Sequence, residues 1–166
     1  MSRADAEAIW WAGVRAVDPE RLVEQALAQE RDWHQARRIL VVGAGKAGAR
    51  MAAGVERALA DCLDRVTGIV NVPAGTTAPL QRIRLHPARP PGVNEPRPEG
   101  VAGSEEMLQL LSTAGPQDVA LCLLSGGGSA LLPAPARGIT LDEKLAVTRL
   151  LHRCGASITE MNCVRK

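Results

Sequence analysis

Phenylalanine and tyrosine are absent, and three tryptophans make aromatics only 2% of the 166 residues. Single-stranded nucleic acids are held largely by stacking bases on aromatic rings, so that class of partner has almost no raw material here. Charge of one sign is scarce as well. Charged residues make up 23% and the formal net charge is +2, which gives no pull toward nucleic acid or an anionic membrane. Long hydrophobic runs are missing: the apolar run 119–124 falls far short of the ~20 residues a spanning helix needs. The four cysteines, at 62, 122, 154 and 163, make no C-x-x-C pair and have no histidine at zinc-finger spacing. The first residues, Met-Ser-Arg-Ala-Asp-Ala-Glu, carry acids where a signal peptide has an apolar segment. The expectation is a reduced, cytoplasmic protein in which Cys122 is a small core residue of an apolar strand. Lysine is rare against arginine, three to seventeen, which singles out Lys46, Lys144 and Lys166.

What is present is enough apolar residue, 46%, to build a core. The length fits one domain or a large piece of one. Residues 4–17 place Ile9, Trp10, Gly13, Val14 and Val17 on one helical face. Asp18-Pro19 then supplies a cap and a first-turn proline for a second helix over 19–31. Residues 39–42 read as a buried strand, 46–60 as a helix, 66–72 as a second strand and 81–86 as a third. The stretch 86–98 holds five prolines and no periodicity, which marks an ordered loop or a linker. A helix over 98–114 is stopped by Gly115-Pro116, and 119–124 reads as a fully apolar buried strand. Thr140-x-x-Glu143 and Ser157-x-x-Glu160 both fit capping boxes, the first opening a helix to Arg153. Buried strands alternating with helices predict a Rossmann-like three-layer α/β/α fold with a largely parallel sheet. Residues 1–35 are expected to form a helical segment packing on that core.

Two glycine turns follow strands directly, on the sheet edge where open α/β folds bind ligands. Gly43-Ala44-Gly45-Lys46-Ala47-Gly48 matches G-x-G-x-x-G, so a dinucleotide site is one reading. That fold needs an acid near the end of the second strand for the ribose, and here the strand ends Val70-Asn71-Val72-Pro73. The P-loop spacing fails too. What remains is a glycine turn, a helix N-terminus and a lysine expected on its first turn. A cation there is unfavourable for the helix dipole, which an anionic ligand would relieve. A surface lysine beside a close helix–strand crossing explains the same pattern. The second turn is Ser125-Gly126-Gly127-Gly128-Ser129. Three glycines cost backbone entropy, and their amides with two flanking hydroxyls suit an anion-binding nest; the competing reading is a flexible turn. His34, His86 and His152 are scattered and set up no metal site. His86, Asn94 and Glu95 are retained as candidate substrate contacts around the proline-rich loop. Lys144 reads as a solvated helix-face residue.

These residues resemble a known family. Val42-Gly43-Ala44-Gly45-Lys46-Ala47 is similar to the glycine–lysine turn of the class II glycerate kinases, the glycerate 2-kinases that carry a MOFRL domain. Leu123 through Pro133, with its Ser-Gly-Gly-Gly-Ser core, resembles that family's glycine-rich signature. Gly138-Ile139-Thr140-Leu141-Asp142-Glu143-Lys144 and the block from Gly155-Ala156-Ser157-Ile158 to Val164-Arg165-Lys166 are similar to the segments that follow. His86-Pro87 departs from the pattern, because Ala88-Arg89-Pro90 follows where the family has Pro-Asp-Glu. The family's chains also continue well beyond Val-Arg-Lys, so 36–166 is expected to be the N-terminal part of the catalytic α/β domain.

The resemblance implies phosphorylation of the 2-hydroxyl of D-glycerate by ATP with Mg²⁺. Lys46 would be the catalytic cation. Gly43, Gly45, Ser125, Gly126, Gly127, Gly128 and Ser129 would bind phosphate or nucleotide. The isolated chain is expected to be inactive and to self-associate through an unfinished sheet edge. Other readings are a sugar-phosphate or dinucleotide-binding domain and a non-catalytic remnant.

Overall fold

The computed structural model describes residues 2–29 and 32–165. The expected end of the second helix at 31 and Lys166 lie outside them. Four strands, β1 (Arg38–Ala44), β2 (Val66–Pro73), β3 (Ile83–Arg89) and β4 (Asp118–Leu124), form one sheet in the order β3-β2-β1-β4. Every pairing is parallel, as the apolar strand runs between helices require. The Rossmann-like α/β expectation holds.

The helices are α1 (Arg3–Ala16), α2 (Pro19–Gln29), α3 (Gly48–Ala58), α4 (Pro98–Ser112), α5 (Gly128–Leu131), α6 (Leu141–Arg153) and α7 (Ile158–Arg165). One sheet face packs on α3, with Ile39, Val41, Val70 and Val72 meeting Ala52, Val55 and Leu59. Outside α3 lies α2, brought close by Gly54: a Cβ there would stand 2.5 Å from Glu20 O. The opposite face takes α4, whose Met107 packs on Val42 and Ile69, and α5, whose Leu131 packs on Ala44 and Ala88. Buried Glu56 in α3 accepts the amides of Gln81, Arg82 and Ile83 at 2.7–2.8 Å and so anchors the entry to β3.

Several expectations are corrected. β3 runs on to Arg89, through Pro87, because an edge strand tolerates a missing amide on its open side. β4 is not a buried strand. It is the opposite edge, and α4 lies over β2 and β3 rather than over it. Only Leu123 is buried, while Ala120, Cys122 and Leu124 face out. Cys122 is therefore an exposed thiol and not a core residue.

Within 1–35, α2 buries Leu27, whereas α1 buries no side chain. Its Ser2–Asp5 capping box holds the helix locally, and its apolar stripe from Ile9 to Val17 stays exposed. The Thr140–Glu143 box opens α6 as expected. The Ser157–Glu160 bonds open a further helix, α7, that the sequence reading leaves unformed.

Candidate functional site

The two glycine turns form one structure. β1 and β4 are neighbours in register, so Ala44 and Leu124 end side by side and both turns leave the same sheet edge. Ser125 N donates to Ala44 O at 3.1 Å, and Lys46 N donates to Gly126 O at 3.0 Å. Ser125 Oγ accepts the Ala47 amide at 3.1 Å. Gly45 makes this possible: its φ is +142°, and a Cβ would stand 2.0 Å from Ser125 Oγ. Gly127 also has positive φ, +89°, and lies under the Lys46 stem, whose Cε is 3.5 Å from where its Cβ would be.

Lys46 is exposed and makes no ion pair among the described residues. It is not on a helical turn. Ala47 is the N-cap of α3 and Gly48 its first residue, because Ala47 and Gly48 spend their amides on Ser125 Oγ and Gly45 O. The Lys46 ammonium thus stands free above a glycine surface. The amides of Gly126, Gly127 and Ser129 donate to no protein acceptor among the described residues. Free amides, a hydroxyl at Ser129 and an unpaired ammonium are donors of the kind that suit an anion.

Gly43 is placed differently from the rest. It is buried within β1, and a Cβ there would stand 2.2 Å from Leu123 O. Its lack of a side chain admits β4 rather than a ligand. His86 lies inside β3, with Nε2 at 2.8 Å from Glu99 O. Glu95 is held by a two-bond ion pair with Arg149 of α6, at 2.7 and 3.1 Å. That pair keeps its carboxyl below the usual range. Asn94 is exposed. The structure therefore brings Lys46, Gly45 and 125–129 together and leaves His86, Asn94 and Glu95 outside that cluster of contacts.

Lys144 is not a solvated face residue, since its Nζ donates to Arg165 O at 2.6 Å. It lines a cleft of about 470 Å³ with Ile139, Val147, Thr148 and Val164, none of them in the glycine turns. Asn71, which stands near the end of the second strand where a dinucleotide fold has its acid, is fully buried. Its backbone carbonyl accepts the Gly45 amide at 3.1 Å. A lone amide side chain among the valines of an apolar strand was the available signal.

The sequence family described as a domain of unknown function, DUF4147, matches residues 5–166. The chain belongs to that family. The DUF4147 chain is 34% identical to a glycerate 2-kinase of Pyrococcus horikoshii, over 92% of its own length and 35% of that protein's. It is 34% identical to a glycerate kinase of Homo sapiens, over 97% of its length and 34% of the relative's. A protein of Agrobacterium vitis provisionally named hydroxypyruvate reductase is 40% identical over 78% of this chain and 32% of its own. Among solved structures, a glycerate kinase of Thermotoga maritima superposes with TM-score 0.83 at 31% identity, covering 97% of this chain and 37% of that one. The chain thus spans about a third of the length of the curated relatives it matches. No described helix is long and apolar enough to cross a membrane.

Proposed function

We propose that this chain forms the phosphate-cradling part of a glycerate 2-kinase, with residues 36–166 as the N-terminal portion of its α/β catalytic domain. The observation that supports this most is the interlock of the two glycine turns beneath an unpaired Lys46. Phosphoryl transfer asks a protein for positioning and charge stabilisation rather than a covalent nucleophile. In this reading the amides of Gly126, Gly127 and Ser129, with the Ser129 hydroxyl, hold phosphate oxygens of ATP. The Lys46 ammonium offsets charge on the transferred phosphoryl group or holds the carboxylate of D-glycerate. Among the described residues no group of three or more His, Cys, Asp or Glu could hold a metal ion. The three free cysteines with exposed thiols suit a cytoplasmic setting, and the open β4 edge suits self-association.

The reductase name of one relative and the G-x-G-x-x-G match favour a second reading, a dinucleotide site. Against it stands Asn71, which occupies the place of the ribose-binding acid but is fully buried and bonded inward.

The test is a titration of the glycine-labelled chain with ADP and, separately, with NADH, followed by amide NMR. Tryptophan fluorescence would be blind here, because no tryptophan belongs to either turn. ADP is expected to shift Gly45, Gly126 and Gly127, and NADH is not. Shifts with NADH alone would transfer the assignment to the second reading.

A further inference from the structure

Asn71 lies where three segments meet. Its side-chain Nδ2 donates to Leu131 O at 2.7 Å, beyond the second glycine turn, and to Gly100 O at 3.1 Å, in the first turn of α4. Its own carbonyl holds the Gly45 amide of the first glycine turn. Two carbonyl acceptors fix which way the amide faces, since its oxygen in that place would meet two other oxygens.

The Oδ1 atom is buried and has no hydrogen-bond partner among the described residues. Against it α4 presents Gly103: a Cβ there would stand 2.1 Å from Oδ1 and 2.6 Å from His86 Cδ2. A buried acceptor left unpaired is a cost that a leucine of similar size would not carry. Packing alone therefore does not call for asparagine. The two side-chain N–H groups directed at Leu131 O and Gly100 O do, while the backbone carbonyl that accepts the Gly45 amide would be there with any residue.

We propose that Asn71 is a positioning residue that sets the separation of the two glycine turns and so the shape of the anion cradle. Being fully buried, it touches no ligand itself. It acts through Gly45 on one side and through α5 on the other, where Leu131 N and Leu132 N close on Gly127 O and Gly128 O. The functional half of the inference rests on the reading that both turns serve one anionic ligand.

The experiment compares the wild-type chain with Asn71→Asp, Asn71→Leu and Gly103→Ala. The last displaces the Asn71 amide without altering it, at a helix-interior glycine where alanine ordinarily stabilises. Two readouts are taken: ADP affinity, and amide exchange residue by residue. Unpairing buried carbonyls is expected to weaken ADP binding and speed exchange at Leu131 and Leu132 by about tenfold each. Val41 and Val70 in the sheet centre should keep wild-type protection. A folded variant that binds ADP as the wild type does would overturn the proposal. So would exchange that rises evenly through the chain, or loss of folding in all three variants, either of which makes Asn71 a core residue only. If the wild type itself ignores ADP, the kinase reading fails, and the exchange pattern still decides whether Asn71 holds the turns.

Discussion

Gly45 faces Ser125 with no room for a Cβ between them, and its φ of +142° lies where side chains are strained. Gly45→Ala is therefore expected to cost about 2–4 kcal/mol, from backbone strain and overpacking together. Urea unfolding of the two chains measures it. A loss below about 1 kcal/mol, within ordinary surface effects, would mean that the turns separate easily and are not one unit.

Lys46 should behave in the opposite way. It is exposed and unpaired, so Lys46→Ala is expected to move stability by no more than ~0.5 kcal/mol. In a full-length relative the equivalent change should lower turnover by about 10²–10³, the scale of a lost transition-state charge contact. Lys46→Arg should restore only part of it, because a planar fork does not replace a compact ammonium above a glycine surface. Paired kinetics and thermal unfolding check this, and an unchanged kcat in the alanine variant would reduce Lys46 to a surface residue.

The base of the sheet predicts a pH dependence. Asp118 opens β4 with a fully covered side chain. The Arg37 guanidinium, then that of Arg38 and the Gly115 amide, hold its carboxyl far below the usual range. A carboxyl that ionises more readily when folded stabilises the fold above its unfolded value of about 3.9. That contribution shrinks as pH falls below this value. The stability difference between wild type and Asp118→Asn should thus be constant from neutral pH to about pH 5 and narrow below about pH 4. A difference that stays constant to pH 2 would contradict the assignment.

Glu56 has the buried counterpart of that role. One carboxylate satisfies three consecutive amides at the start of β3. Glu56→Ala should cost about 3 kcal/mol, since a hydrogen bond to a charged group contributes about 1.5–3 and the Ile83 amide would be left buried, whereas Gln81 and Arg82 are exposed and their amides can turn to water. Glu56→Gln, which keeps one acceptor, should lose less. Equal stability of the alanine and glutamine variants would show that water replaces the carboxylate.

The outward strip of β4 leads to a prediction about association. Leu124 is 59% exposed next to the thiol of Cys122, on an edge strand. Sedimentation of the wild-type chain should show concentration-dependent self-association, and Leu124→Lys should suppress it, as charge on an edge does. A compact wild-type monomer at all concentrations would refute this.

Elements with strong local patterns were legible in the sequence. β1 and β2 read correctly because each carries a run of apolar residues, 39–42 and 69–70 with Val72, that is buried. α6 read correctly because its cap is written in four residues. β4 has the same apolar composition as β1, yet it lies at the edge. Position in a sheet order is a property of the whole chain and leaves no mark on six residues. The glycine turns were legible as anion-binding candidates, but their interlock joins Ala47 to Ser125, 78 positions further along the chain. The role of Asn71 is not legible in the sequence, because its partners at Gly100 and Leu131 are backbone carbonyls, which no sequence pattern displays.

The register of β1 on β4 has a kinetic meaning. The first turn cannot take its final shape when 38–58 fold locally, since Ser125 must arrive to accept the Ala47 amide. Contacts this distant in sequence form late, after the loop-closure entropy between them has been met. A ligand that fits both turns would bind only chains in which β4 has docked, and by mass action would draw the population toward them. On that account the cradle reports on the completion of the sheet: in refolding, competence to bind phosphate should appear with the last strand and not with the first.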